Sequence, residues 1–385
     1  MRILEVVVRY PPFVGGVEAS VHEVARRLAA RGHEVRVICA DDPPGSPSEV
    51  DGVEVVRLPW RFKAANTNLC FGLGEAIRRE RPDVIHTHLP TAFFAGRAAL
   101  AAREMGVPLV LTYHNDVAGE GIKRLAAAVY NGVFLPRLLE SSARVVATNP
   151  RHSPRITNPV CIPWGVNTDR FHPPAEEPGP PLTVGFLSVL DVHHRYKGLE
   201  VVFEALRLLP GVRLRVGGKG EDVDFYRRRA EELGVASRVE FVGFVEDLNA
   251  FYGSCHVFAL PSTDVREGFG LVLLEAMACS RPVVTTPIVG MAGDIEKRGA
   301  GVVVAPNDPV ALAAALKDQE DQRDVKDLKD SEGTSFESFR SFSSFTSLAA
   351  MGRRARQLVE ERYTWERVAD AYEELFRSLT GSSSK

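Results

Sequence analysis

The stretch Pro261–Pro282, PSTDVREGFGLVLLEAMACSRP, decides how the rest of the chain is read. It follows an apolar run of strand length, His256-Val257-Phe258-Ala259-Leu260. A glycine turn comes next, Glu267-Gly268-Phe269-Gly270, then a helical pattern from Leu271 to Cys279 that stops at Arg281-Pro282. Strand, glycine turn and helix in that order leave free backbone N–H groups at the helix start, where an anion can sit. Two carboxylates bracket the turn: Glu267 just before it and Glu275 on the second turn of the helix. A carboxylate accepts hydrogen bonds and repels phosphate. Beside a phosphate site its natural partners are hydroxyl groups, those of a sugar or a ribose.

Outward from this stretch the chain reads as two series of alternating strands and helices. At 385 residues it exceeds one ordinary core, and two domains are expected. The first series has strands at Ile3–Val8, Val35–Cys39, Val53–Leu58, Val84–His86, Leu109–Thr112 and Val145–Ala147, with an amphipathic helix over Val17–Ala30. A Pro/Gly/Asn-rich crossover, CIPWGVNTDRFHPP followed by EEPGPP, reads as the interdomain linker. The second series has strands at Leu182–Val189, Arg213–Val216, Val239–Val242, Val257–Leu260 and Val283–Thr286, closing with Val302–Val304. Its helices include Leu199–Leu209, Phe225–Leu233 and Val310–Leu316, and a last amphipathic helix spans Trp365–Leu379. This is α/β architecture with two doubly wound, Rossmann-like domains. The expected division is 1–165, 166–358 and a C-terminal helix with tail, 359–385. An atypical insertion, 317–347, turns from very polar to rich in Ser and Phe; its phenylalanines recur every three residues and keep no single helical face.

Composition narrows the function. A net charge of −3 gives no field for nucleic acid. Five scattered cysteines without a CxxC pair read as buried thiols of a reducing, cytoplasmic compartment. The first residues, MRILEVVVRYPP, make a strand interrupted by Glu5 and Arg9 and no signal peptide. Ala92–Tyr113, the most apolar region, carries Arg97, Arg103 and Glu104, so no transmembrane helix is expected.

Several motifs fall at strand ends, where open α/β sheets place ligands. Gly15-Gly16 follows the first strand and opens a helix, which lets backbone approach a ligand; it is not the dinucleotide-binding fingerprint. His86-Thr87-His88 ends another strand; His-x-His can chelate a metal, but lacks an evident carboxylate ligand, so ligand or structural contacts are favoured. His114, in Thr112-Tyr113-His114-Asn115-Asp116, ends the next strand and is expected to face the site. Arg195 and Lys197, in His193-His194-Arg195-Tyr196-Lys197-Gly198, suit phosphate neutralisation. Gly217-Gly218-Lys219-Gly220 reads as a turn where backbone approaches a ligand. Asp222-Val223-Asp224 resembles a metal-binding Asp-x-Asp but falls at a helix start, where acidic residues suit the dipole, so no metal site is assigned to it.

Taken together, these residues resemble the retaining glycosyltransferases of family 4, with the GT-B fold and an E-x7-E motif, here Glu267 and Glu275. The likeness runs through VEFVGFVEDLNAFYGSCHVFALPS, EGFGLVLLEAMACSRPVVTT, IPWGVNTDRFHP, ERYTWERVADAYEELF and the GGVE and THL elements, and omits about 317–347. The resemblance implies two Rossmann-like domains facing a cleft, a nucleotide-sugar donor held mostly by the second, and a C-terminal helix crossing back to the first. It implies that Glu275 binds ribose hydroxyls and Glu267 hydroxyls of the transferred sugar. The Phe269, Gly270 and Leu271 amides, with Gly268, would face the diphosphate, Lys197 would neutralise it, Gly15 and Gly16 would approach it, and His114 would contact the sugar. The catalytic set is therefore His114, Glu267 and Lys197, with no metal and no cofactor beyond the donor. One departure stands out: many relatives carry a phosphate-binding Arg in a Gly-Arg-Leu context, where this chain has Ser188-Val189-Leu190-Asp191, and Arg195 is expected to substitute.

The expected activity is retaining transfer of a hexosyl group from a UDP- or GDP-sugar to a lipid or glycan acceptor, in cell-surface glycan or glycolipid biosynthesis. A nucleotide-sugar isomerase or hydrolase on the same scaffold, or an inactive sugar-nucleotide-binding protein, are the alternatives. Arg61, Lys63, Arg78, Arg79, Arg81 and Lys123-Arg124 are candidates for peripheral contact with the inner face of a membrane, against the simpler reading of solvated helix faces.

Overall fold

Strand β1 (Arg2–Val6) is the hub of the first sheet, pairing in parallel with β2 (Glu34–Ala40) on one side and β7 (Val84–Leu89) on the other. The chain is described here from a computed structural model that covers residues 1–13, 15–64, 67–117, 121–149, 156–317 and 345–381. Most of the insertion expected at 317–347 lies outside the described residues, as does the side chain of Lys123.

Contacts partition the chain into Met1–Gly165 with Trp365–Lys385, and Val166–Thr364. In the first unit β3 (Glu49–Val50), β4 (Val53–Leu58), β8 (Leu109–Tyr113), β9 (Arg144–Ala147) and β10 (Val160–Cys161) complete an eight-stranded sheet, ordered β10-β9-β8-β7-β1-β2-β4-β3. Only the β3–β4 pair is antiparallel. Alternate residues of each strand feed two cores, as a period of two requires. Ile3, Val37, Val84 and Val110 pack with Val24 and Leu28 of α1 (Gly16–Ala30). Leu4, Ile38, Ile85 and Leu111 pack on the opposite face with Phe94 and Ala98 of α3 (Ala92–Met105). Helix α2 (Leu73–Glu80) precedes β7 in sequence.

Three features of this unit differ from the sequence expectation. Trp60–Ala64 (β5) and Thr67–Cys70 (β6) form a separate antiparallel pair. Val160–Cys161, within the linker the sequence predicts, is one edge strand of the sheet, held by only two paired residues. Cys161 is exposed there, while Cys39, Cys70, Cys255 and Cys279 are buried, and all five are unpaired.

The second unit holds six parallel strands ordered β13-β12-β11-β14-β15-β16. They are β11 (Thr183–Leu187), β12 (Arg213–Gly217), β13 (Val239–Gly243), β14 (Val257–Leu260), β15 (Val283–Thr285) and β16 (Gly301–Val303). Val184, Phe186, Leu214 and Val257 pack against Val202, Phe203 and Leu206 of the helix Leu199–Arg207. In both sheets the first strand of the series sits centrally and the winding reverses beside it, between β1 and β7 and between β11 and β14. Such a switch point leaves room for ligands beyond the carboxyl ends of its two strands.

The last helix, Trp365–Thr380, belongs to the first unit. Trp365, Val368, Tyr372, Leu375 and Phe376 form its buried stripe. Its polar edge is tied to α1 and the following turn: Arg27–Glu366 at 2.6 Å, Arg31–Glu373 at 2.7 Å and His33–Glu373 at 2.9 Å.

Candidate active site

At the second unit's switch point, the chain leaving β11 and the chain leaving β14 are stitched together. Val192–Lys197 is one short 3-10 turn, capped by Asp191, whose carboxylate accepts from His194 N at 3.0 Å. The carbonyl of Tyr196 accepts from Thr263 N at 2.7 Å and from Thr263 Oγ1 at 3.1 Å. Gly198 then turns the chain with φ 85°, and a Cβ there would stand 2.2 Å from the Pro261 carbonyl oxygen. Only glycine permits both that angle and that approach.

The stitch brings Lys197 to Glu267, with Nζ 3.1 Å from Oε2. Glu267 is buried and also receives a long contact from Ser262 Oγ at 3.4 Å. Three residues on, Gly270 and Leu271 open the helix Leu271–Ala278, whose first N–H groups face outward from its start. Glu275, one turn further, receives the Tyr252 hydroxyl on Oε2 at 2.6 Å, and burial pushes its carboxyl above the ordinary value against that bond. Lys197, Glu267, Phe269–Leu271 and Glu275 thus cluster around one loop and one helix start. Tyr252 and Ser262, which fix the two carboxylates, were not picked out from the sequence.

Arg195 stands differently. Its Nε pairs with Asp222 at 2.7 Å, and its guanidinium lies over the Phe225 ring at 3.8 Å. Asp222 precedes the helix Val223–Glu232, and Asp224 faces Arg227 at 3.4 Å, so both carboxylates of the Asp-x-Asp are answered by arginine. The Gly217–Gly220 turn also differs from expectation. What approaches it is the chain's own backbone: a Cβ on Gly218 would meet Ser188 O at 1.8 Å, and one on Gly220 would meet Leu190 O at 2.1 Å. Lys219 covers Phe244 at 4.8 Å.

In the first unit, β1 and β7 place Glu5, His86 and His88 together. Glu5 and His86 are register partners, and His88 follows on the same face two residues later. His88 Nδ1 lies 3.2 Å from His114 Nε2 at the end of β8. Trp164 joins the group, its ring edge-on to His114 at 5.5 Å and 3.2 Å from where a Cβ on Gly16 would be. Gly16, His114 and Trp164 therefore share one corner of this unit; Trp164 was read as linker. Gly15 caps α1, and a Cβ on it would strike the Glu18 carboxylate. Among the described residues Glu5, His86 and His88 also form a trio with metal-ligand chemistry, their donor atoms within 4.8 Å of one another. Both nitrogens of His86 are engaged: Nδ1 lies 2.9 Å from Glu5 and Nε2 lies 2.7 Å from Thr112 Oγ1.

These buried groups make stability depend on pH. Burial, together with nearby His86, pushes His88 down to about 4 against the pull of Glu5. Burial, with His88 and His86, also holds His114 well below 6.5. The unfolded chain therefore takes up protons below about pH 6.5 that the folded chain refuses, and stability falls with acid. His88 alone withholds one proton across the window from about pH 6.5 to about 4, and its share of stability is lost there. Glu5 acts in the same sense lower down: burial raises it, but His86 and His88 prevail and hold it at about 2. Its share is present above about pH 4.5 and lost toward pH 2. Urea midpoints are expected to fall steadily from pH 7 to pH 5, and His88→Gln is expected to flatten that slope. An equal slope in the variant would contradict the assignment.

The chain is similar to known proteins in both sequence and fold. Residues 169–331 match the model for glycosyl transferases group 1, and residues 15–157 match that for a glycosyl transferase 4-like domain. Glycogen synthase of Mycobacterium tuberculosis is 30% identical over 360 residues, covering 82% of this chain and 85% of that protein. Phosphatidyl-myo-inositol mannosyltransferase of Mycobacterium leprae is 29% identical over 321 residues, covering 78% and 83%. The fold is also that of Anabaena Alr3699/HepE, solved with UDP: TM-score 0.69, 19% identity, 98% of this chain and 100% of that one. The same Anabaena protein has been solved with UDP-glucose.

Proposed function

Since the chain belongs to the GT-B glycosyltransferases of family 4 type, we propose that it moves a hexosyl group from a UDP- or GDP-sugar to a lipid or glycan acceptor, with retained anomeric configuration, in cell-surface glycan or glycolipid biosynthesis. The observation that carries this reading is the pair of half-buried Lys197 and buried Glu267 beside the start of the helix Leu271–Ala278. A cation and free helix amides suit a diphosphate, and a carboxylate already held in place suits sugar hydroxyls. The donors bound by the Anabaena protein support a uridine nucleotide, and the names of the mycobacterial relatives support a glycan or lipid acceptor.

In this reading Glu275, with one oxygen fixed by Tyr252, takes the ribose hydroxyls on the other. Glu267 takes hydroxyls of the transferred sugar. Lys197 and the Phe269, Gly270 and Leu271 amides meet the diphosphate, with Gly268 leaving room for it. Negative charge grows on the departing phosphate in the transition state, and preorganised donors there lower the barrier most. Gly15 and Gly16 are assigned to the diphosphate and His114 to the sugar. Arg195 is a weaker phosphate ligand than Lys197, because recruiting it would cost the Asp222 pair and the Phe225 contact. Positive charge from Lys197 and the helix start makes the reaction metal-independent.

The test is release of nucleoside diphosphate by the purified protein across UDP- and GDP-sugars, with and without EDTA, and 1H NMR of the product's anomeric proton. The reading expects turnover with at least one donor, unchanged by EDTA, and an anomeric configuration equal to the donor's. No turnover with any donor and acceptor lipid or glycan, or an inverted product, would refute it.

We also propose a cytoplasmic location with peripheral contact at the inner face of the membrane. Five unpaired thiols support a reducing compartment. Among the described residues no helix is long and apolar enough to cross a membrane. Lys63, Arg78 and Arg79 are paired with Asp42, Glu104 and Glu75, which weakens them as lipid contacts. Arg124 is exposed and adjoins exposed Leu125 and Val129, one turn apart on the helix Ile122–Val129. Co-sedimentation with vesicles containing anionic phosphatidylglycerol is expected, and Leu125→Glu is expected to weaken it several-fold. Equal binding by the variant would remove this helix from the contact.

A further inference from the structure

We propose that Glu5 acts through His88 to hold His114 in the tautomer that presents Nδ1 as a hydrogen-bond acceptor to the transferred sugar. This rests on the reading that His114 meets that sugar. Glu5 is a lone carboxylate in the middle of a buried strand, 1% exposed, where an unanswered charge would cost several kcal/mol. One answer is His86, whose Nδ1 lies 2.9 Å from each carboxylate oxygen and hydrogen-bonds to Oε1. The other oxygen, Oε2, is buried without a hydrogen bond of standard geometry, and so is His88 Nε2. The two stand 3.6 Å apart.

A carboxylate offers lone pairs only, so this contact is attractive when the proton sits on His88 Nε2, the tautomer the proposal assigns. A neutral imidazole carries one N–H, which leaves His88 Nδ1 as an acceptor. His114 Nε2, 3.2 Å away, must then be the donor. Neutral His114 has spent its only N–H on this bond, and its Nδ1 keeps a bare lone pair. Burial among His88 and His86 favours that neutral state. The other end of the network runs consistently. His86 donates from Nδ1, so its Nε2 accepts from Thr112 Oγ1 at 2.7 Å, and Thr112 accepts from the Tyr372 hydroxyl at 2.9 Å. Every proton has one place, and Glu5 fixes the direction of both arms. Trp164 against the His114 ring sets its plane.

Glu5 is thus a positioning residue for a sugar contact it never touches. The first test is a long-range 1H–15N correlation spectrum of the labelled, unmodified protein at pH 7. It should show His88 and His114 both protonated at Nε2. Protonation of His114 at Nδ1 would overturn the proposal without any variant. The second test is Glu5→Gln. Its amide can donate to His88 Nε2, which reverses the chain and puts the His114 proton on Nδ1. The expected result is a 10- to 100-fold loss in kcat, roughly what loss of an orienting partner costs, with the Kd for UDP within about twofold. The spectrum should report the exchanged tautomer. If Glu5→Gln folds and keeps both the original tautomer and kcat, the proposal fails. His114→Ala separates the two levels of argument. Unchanged kcat in His114→Ala refutes the sugar-contact reading itself, whereas a loss there beside an unaffected Glu5→Gln refutes only the role of Glu5.

Discussion

Lys197→Ala is expected to lower kcat by about 100- to 1,000-fold, the usual effect of removing one donor aimed at developing charge. The amine does two things in the structure. It lies near the helix start, where the proposed reading puts the diphosphate, and it is the ion partner of buried Glu267 at 3.1 Å. Removing it leaves buried Glu267 without its ion partner, so the carboxylate is no longer held in place for sugar hydroxyls. The double variant Lys197→Ala/Glu267→Ala should therefore be little worse than Lys197→Ala alone, as expected of residues working as a unit. Arg195→Ala should cost less than about tenfold, because Asp222 and Phe225 already occupy that guanidinium. Steady-state kinetics of the four proteins decide the matter. Equal losses in Lys197→Ala and Arg195→Ala would mean that the cationic role is shared.

Gly198→Ala is expected to cost roughly 3 kcal/mol or more of stability and most of the activity. The residue has φ 85°, and an added Cβ would sit 2.2 Å from the Pro261 carbonyl oxygen and 3.2 Å from its ring. Backbone cannot yield as a flexible side chain does, so the loops after β11 and β14 must separate. Their separation breaks the Tyr196–Thr263 bonds that bring Lys197 to Glu267. Gly96→Ala is the control. It lies exposed in the interior of α3 with nothing within 4 Å of the added carbon, and should gain about 0.5–1 kcal/mol from helix propensity. Thermal melts on the two variants should move in opposite directions, and turnover should fall in Gly198→Ala alone. A Gly198→Ala protein as stable and active as the parent would show that this turn does not build the site.

How far the sequence carried follows from which signals are local. The strands were legible as apolar runs because both faces of these sheets are covered, and the switch-point loops could be found as the segments following them. Glu267, Gly270 and Glu275 stood out because strand, turn and helix are contiguous in the chain. What pins them was not legible, since Tyr252 and Ser262 reach the two carboxylates through packing. Arg195 looked free beside Lys197, but Asp222, 27 residues on, claims it. The Gly217–Gly220 turn gave the right signal, close approach of backbone, and the wrong visitor. Trp164 was hidden in a segment whose Pro, Gly and Asn content reads as linker. Glu5 gave a usable sign, a single carboxylate inside a buried run, but its partners His86 and His88 lie some eighty residues away and only strand register joins them.

The central claim is that the loop and helix of Pro261–Pro282, together with Lys197, hold a nucleotide-sugar. A crystal structure of the protein with UDP tests it most directly. The account predicts diphosphate oxygens in hydrogen-bond contact with Lys197 Nζ and the Phe269, Gly270 and Leu271 amides, and ribose hydroxyls on Glu275. A nucleotide bound with Lys197 and Glu275 both out of contact would contradict it.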